Sequence, residues 1–272
     1  MNARASNNID NHDNGSGESR TDSRTDRFVT ISIDDGDITD LRTAELLTKY
    51  GLQATFYIPA RNPERPVMPA NQVRELSASF EVGAHTLNHA PLKSLPDSKA
   101  STEISQGKQW LEDTIGKSVI SFCYPRGKFN SSTPALVKKA GFLGGRTCLF
   151  NLHEFPRNPF LWGVSTHAYS HSKVMQLRHA ALEGNFAGIL NFVRTYNSST
   201  DWQQHFLCGL NHVEQNGGIA HLYLHSWEIE ELGHWQQLEA VFDTISQRHS
   251  VSKVTNGTLF QLWRIRNDHG RN

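Results

Sequence analysis

From Phe28 onward the chain alternates short apolar runs with longer amphipathic ones. Phe28–Ile33 reads as a strand, and Asp40–Tyr50 as a helix whose apolar face is Leu41, Ala44, Leu46 and Leu47, with Gly51 as its stop. Gln53–Ile58, rich in β-branched and aromatic residues, predicts a second strand. Asn71–Ser79 predicts a helix, Phe80–Ala84 a short strand, and Asp97–Ile115 a long helix ended by Gly116. Ser118–Tyr124 is the next strand. Thr133 caps a helix with Pro134 in its first turn and Gly141 past its end. Phe142–Thr147 reads as a strand, 150–170 as irregular, and 172–215 as two or three helices, taken as packing rather than as a lid. Ile219–Leu224 is the last clearly apolar strand, before a helix over Trp235–Arg248 and a strand over Ser250–Val254.

Strands alternating with helices predict a parallel sheet with helices outside it. The long gap between Thr147 and Ile219 argues for an insertion or a distorted barrel rather than eight regular units. An open doubly wound sheet is the rival architecture. There is no internal repeat.

The 272 residues are ample for a sizeable core, and 27 basic against 27 acidic residues leave no global field to attract nucleic acid. The 14 histidines are an enrichment that directs attention to metal or proton-transfer sites. Cys123, Cys148 and Cys208 have no metal-binding spacing and are expected as free thiols. Residues 1–27 hold Asn, Asp, Ser, Arg and Gly with almost nothing apolar, and are expected to form a disordered tail. No signal-peptide core or membrane span is visible, so the expected location is the cytoplasm.

Four polar clusters follow predicted strands: Asp34-Asp35, His85 with His89, Pro125-Arg126, and His225. In a β/α barrel such ends share one face, where active sites are built. Each cluster alone also fits a turn, a surface histidine or a satisfied core histidine; their shared position at strand ends argues for a site. An Asp with two His makes a three-ligand site for a borderline divalent ion such as zinc. A second carboxylate can then serve as base and a separate His as acid.

These residues resemble the polysaccharide deacetylase family, also called NodB-homology or carbohydrate esterase family 4. Its Thr-Phe-Asp-Asp-Gly motif stands in this chain as Ser32-Ile33-Asp34-Asp35-Gly36, its His-Ser/Thr-x-x-His motif as His85-Thr86-Leu87-Asn88-His89, and its Leu-x-Leu-His motif as Leu222-Tyr223-Leu224-His225. The resemblance spans about residues 28–260, leaving 261–272 as a C-terminal tail. It implies a distorted (β/α) barrel of seven or eight parallel strands, and an enzyme that hydrolyses N-acetyl or O-acetyl groups on a sugar by metal-activated water. By position, Asp34 would be the base, His225 the acid, and Asp35, His85 and His89 the ligands of the ion, usually Zn2+, with Co2+ or Ni2+ as alternatives. The backbone N–H of Arg126 would hold the oxyanion. Tyr124, Pro125, Trp227 and Trp162 are the candidate substrate contacts.

Two motifs depart from the family pattern. The third reads Cys123-Tyr124-Pro125-Arg126-Gly127, with Cys123 in the usual arginine position and Arg126 after the proline. The fourth, an Asp followed by Trp, has only Trp162 as a counterpart. Three readings follow: a metal-dependent deacetylase of an acetylated sugar or glycan precursor, a hydrolase of non-peptide C–N bonds in a small molecule, and a sugar- or metal-binding homologue without catalysis.

Overall fold

The computed structural model describes residues 26–269. Residues 1–25 of the expected polar tail and 270–272 of the expected C-terminal tail lie outside the described residues. Eight strands run in chain order: β1 (Arg27–Asp34), β2 (Thr55–Ile58), β3 (Glu81–Ala84), β4 (Ser121–Cys123), β5 (Gly144–Arg146), β6 (Thr166–His167), β7 (Gly218–Leu224) and β8 (Ser252–Lys253). Seven form one sheet in the order β5-β4-β3-β2-β1-β7-β6, and β8 adds to β1. All pairings are parallel. The sheet curls into a half-barrel of the expected NodB type. Central strand β1 is buried along nearly its whole length, as a strand covered on both faces must be: Val29, Ile31 and Ile33 alternate with Thr30, Ser32 and Asp34, and both sets are buried.

Stretch 150–170, expected to be irregular, joins the two edges of this sheet. Trp162 exchanges backbone hydrogen bonds with Gly145 and Thr147 on the β5 side, at 2.9 and 2.8 Å. A few residues on, the Ser165 and Ala168 amides donate to His221 and Tyr223 of β7, at 3.0 and 2.9 Å. Strand β6 is two residues long and rests on pairing with β7, so no local periodicity announces it.

Ten helices complete the described residues: α1 (Asp40–Lys49), α2 (Ala70–Ser79), α3 (Asp97–Ile115), α4 (Thr133–Lys139), α5 (Lys173–Leu182), α6 (Phe186–Arg194), α7 (Trp202–Asn216), α8 (Ser226–Leu232), α9 (Trp235–Gln247) and α10 (Asn256–His269). The region 172–215 thus holds α5, α6 and most of α7. Helix α4 starts at Thr133, but its side chain is not the cap; Asn130 Oδ1 accepts from the Thr133 amide at 3.0 Å. Residues 261–269 continue α10 instead of forming a tail, because Leu259 and Phe260 anchor the helix against Phe28, Trp162 and Ile219.

Helix α3 buries Ala100, Ile104, Gly107, Leu111 and Thr114, one stripe at helical spacing, and Gly116 ends it in the left-handed conformation (φ 69°). Gly107 lies against the loop after β3: a Cβ there would come within 2.5 Å of the Thr86 carbonyl carbon. At an open helical position Gly→Ala stabilises by about 1 kcal/mol. At Gly107 the backbone contact reverses the sign. Gly107→Ala should lower unfolding free energy by about 1–3 kcal/mol in urea denaturation, as overpacking does.

Candidate active site

Because the sheet is parallel, the C-terminal ends of its strands open on one side. Asp34-Asp35 leaves β1, His85 and His89 follow β3, Pro125-Arg126 follows β4, and His225 follows β7. Asp34, Asp35, His85, His89 and His225 meet in one cleft of about 330 Å3. The backbone bends sharply to achieve this. Asp35 (φ 84°), Thr86 (66°), His89 (52°) and Arg126 (55°) all occupy the left-handed region, which side chains other than glycine seldom adopt. Such outliers gather where surrounding structure enforces an unusual geometry.

Asp35, His85 and His89 form the first constellation, all nearly fully buried. The His89 and His85 Nε2 atoms lie 3.1 and 3.7 Å from Asp35 Oδ1, which has no hydrogen-bond partner among the described residues. His85 Nδ1 donates to the Cys123 carbonyl at 2.9 Å, so its Nε2 lone pair is free to face inward. Burial lowers the His85 pKa to about 4, which keeps the ring neutral. Burial alone would raise the Asp35 pKa; His89, with the charge of His225, holds it well below the usual carboxylate range. Its other oxygen, Oδ2, accepts the Trp227 indole N–H at 3.0 Å. An ionised carboxylate oxygen without a donor, facing two imidazole nitrogens, fits a divalent cation with nitrogen and oxygen ligands.

Asp34 forms the second. Its Oδ1 is ion-paired with the guanidinium of Arg146, at the end of β5, and both side chains are buried. Burial pushes the Asp34 pKa up, but Arg146, with weaker help from His85 and His225, brings the net below the usual value. The Arg146 guanidinium lies 4.8 Å from the centre of the Tyr223 ring and 5.3 Å from that of Tyr57. The Arg126 side chain does not reach Asp34. It is 54% exposed and pairs with Glu64 at the cleft's rim, because the left-handed turn at Arg126 directs it outward.

The third is centred on Glu228. His225 Nδ1 donates to Glu228 Oε2 at 2.7 Å, and His167 Nε2 donates to the same oxygen at 2.8 Å. His171 Nε2 in turn lies 3.1 Å from His167 Nδ1. Burial depresses the His225 pKa, but Glu228 and the charges of Asp35 and Asp34 raise it to about 9. Glu228 is itself held well below its ordinary value, burial notwithstanding, by hydrogen bonds from His167 and His225.

Arg146 and Glu228 were not among the candidates read from sequence. Arg146 occupies the strand-end position that singled out the others, and Glu228 stands three residues after His225, at helical spacing. Three expected substrate contacts fall outside the cleft. Trp162 is buried at the barrel's edge between Phe155 and Phe260. Tyr124 is buried with its hydroxyl donating to the Phe160 carbonyl at 3.0 Å, and Pro125 is buried in a 3-10 turn. Trp227 does line the cleft, but the Arg65 guanidinium covers its ring at 3.5 Å.

Residues 21–144 match the family model described as polysaccharide deacetylase. A Bacillus cereus peptidoglycan-N-acetylglucosamine deacetylase is 29% identical over 153 residues, 54% of this chain and 69% of that enzyme. Among solved structures, a candidate polysaccharide deacetylase from Mycobacterium smegmatis aligns over 89% of this chain and 92% of its own, with 13% identity and a TM-score of 0.61. A family 4 acetyl xylan esterase from Clostridium thermocellum, solved with a cobalt ion, aligns over 87% and 91%, with 17% identity and a TM-score of 0.55. At these identities the structural likeness concerns the fold. The family match includes Asp34, Asp35, His85 and His89 but stops two residues short of Arg146.

The two arginines should behave oppositely in chemical denaturation. Arg146→Met leaves a buried carboxylate without its countercharge and should destabilise by about 3–5 kcal/mol. Arg126→Ala removes a half-exposed pair and should change stability by less than about 1 kcal/mol.

Proposed function

We propose that this chain is a member of the polysaccharide deacetylase family, whose model matches residues 21–144, and that it hydrolyses the acetamide of an N-acetylated sugar with the aid of a divalent ion. The observation carrying this reading is the pairing of both titratable partners: Asp34 with Arg146, and His225 with Glu228. Asp35, His85 and His89 would hold the ion, which when bound supplies Lewis acidity toward the acetyl carbonyl and lowers the pKa of water. Zn2+ suits these donors, with Co2+ or Ni2+ as substitutes.

Each residue then has a defined task. Arg146 keeps Asp34 ionised and fixes one of its oxygens, so the carboxylate can accept the proton of the attacking water. His225 carries its proton at neutral pH and is oriented through Nδ1 by Glu228, which leaves Nε2 to protonate the departing amine as the C–N bond breaks. The products are acetate and the free amino sugar. Arg126 contributes through its backbone, its N–H being the candidate donor to the developing oxyanion at the cleft's lip. A solitary metal- or sugar-binding role would leave this acid–base machinery without a purpose.

One observation favours a second reading, hydrolysis of a C–N bond in a small non-sugar amide. Trp227, the aromatic best placed to stack on a sugar ring, has a face covered by Arg65 and its N–H committed to Asp35. An acetate-release screen over acetylated mono- and oligosaccharides and simple amides decides between them. The expected result is acetate from N-acetylated sugars, abolished by a chelator and restored by Zn2+ or Co2+. Asp34→Asn should bind the metal and lose about 100-fold or more in kcat, the scale of a general base. Turnover confined to the non-sugar amides would replace the deacetylase reading with the second one.

The pH profile provides a separate check on His225. The acid must be protonated, so kcat/KM should fall as pH rises through about 9. Since Glu228 raises the His225 pKa, Glu228→Gln should shift this basic limb to lower pH; an unmoved limb would show that Glu228 does not tune the acid.

A further inference from the structure

Of the eleven exposed large hydrophobic side chains among the described residues, eight lie between Tyr169 and Val193. The three most exposed belong to the α5–α6 hairpin: Val174 (76%), Phe186 (75%) and Leu182 (73%). Leu182 and Phe186 flank the turn at its tip, and Phe186, Leu190 and Val193 form a stripe at helical spacing along α6. Helix α6 is therefore apolar on both sides, burying Gly188 and Phe192 while presenting this stripe outward. A face of this kind needs a partner.

The surroundings of the patch identify one. Lys173, Arg178 and Arg194 are exposed on the same two helices, and among the described residues none pairs with a carboxylate. The single acidic residue between 173 and 194, Glu183, faces Lys128 across the cleft at 3.4 Å. A second copy of this face would set like charges against like. Residues 1–25 are a poor match for it, with only Met1 and Ile9 as apolar side chains larger than alanine. Large apolar side chains flanked by unopposed cations complement an anionic lipid surface, where acyl chains receive the former and headgroups the latter. No helix of the described residues is long and apolar enough to cross a membrane, so the contact is peripheral.

We propose that the α5–α6 hairpin seats this protein on an anionic lipid bilayer and brings its cleft to acetylated sugars held at that surface. The link to the site is direct, since His179 and Glu183 of the hairpin line the same cleft as Asp34 and His225. The binding claim stands on the surface alone; the delivery of sugar rests on the deacetylase reading.

Flotation of the full chain with phosphatidylcholine vesicles, with and without phosphatidylglycerol, tests it. Binding should need phosphatidylglycerol and weaken as salt is raised. Phe186→Ser with Leu190→Ser should weaken binding about tenfold or more. Lys173→Gln, Arg178→Gln and Arg194→Gln together should abolish the preference for anionic vesicles. Both sets should keep kcat/KM on a short water-soluble acetylated sugar within about twofold, since none of these side chains lines the cleft. Asp34→Asn should float like wild type while losing about 100-fold or more in acetate release, so a failed activity reading and a failed surface reading give different results. Absence of flotation, or equal flotation of the serine variant, overturns the proposal. So does a dimer in sedimentation velocity that the serine changes dissociate, which would assign the face to self-association.

Discussion

Two carboxylates adjacent in sequence and almost completely buried cannot both remain ionised unless each meets its own positive partner. Much of the architecture around Asp34 and Asp35 follows from that requirement. Asp35 turns out of the strand at φ 84° toward His85 and His89, where a cation can be held. Asp34 takes the guanidinium of Arg146. In the sheet order β5 lies four places from β1, which in a flat sheet would separate them by about 19 Å. The ion pair therefore exists only because the sheet curls. It also excludes the open doubly wound alternative, in which β5 and β1 would never face each other across an interior.

The His225 side of the site is solved differently, through local geometry. The chain leaves β7 at Leu224 and enters α8 at Ser226, so Glu228 lies within the helix's first turn and reaches back to His225. His167 arrives from the neighbouring strand β6 and donates to the same oxygen, so two imidazole donors fix the carboxylate. Its stacking on Tyr223, with ring centres 4.2 Å apart, holds His167 in place. A short element of no obvious periodicity thereby helps to fix the carboxylate that orients His225. His179 of α5 and Glu183 just after it line the cleft too, which makes this part of the insertion a wall of the cleft as well as packing.

Much of this molecule was legible in its sequence. Strong periodicity announced β1, α3 and α9, and the strand-end positions of Asp34, Asp35, His85, His89 and His225 correctly anticipated their convergence. Those features are local: an apolar run, a stop signal such as Gly116, and a polar cluster at the end of a strand suffice to infer them. What sequence spacing did not supply was partnership. Arg126 stands near the family's arginine position yet points to solvent, because a left-handed turn cannot be read from residue type. Trp162 and Tyr124 looked like substrate contacts and are packing residues instead. Arg146 supplies the missing charge from a strand 112 residues away, and β6 exists only through pairing with β7. The sequence by itself determined that Asp34, Asp35, His85, His89 and His225 follow strand ends and share one face. Tertiary structure alone decided which cation meets which carboxylate, because the distance between β1 and β5 is set by how the sheet curls and not by the residues along either strand.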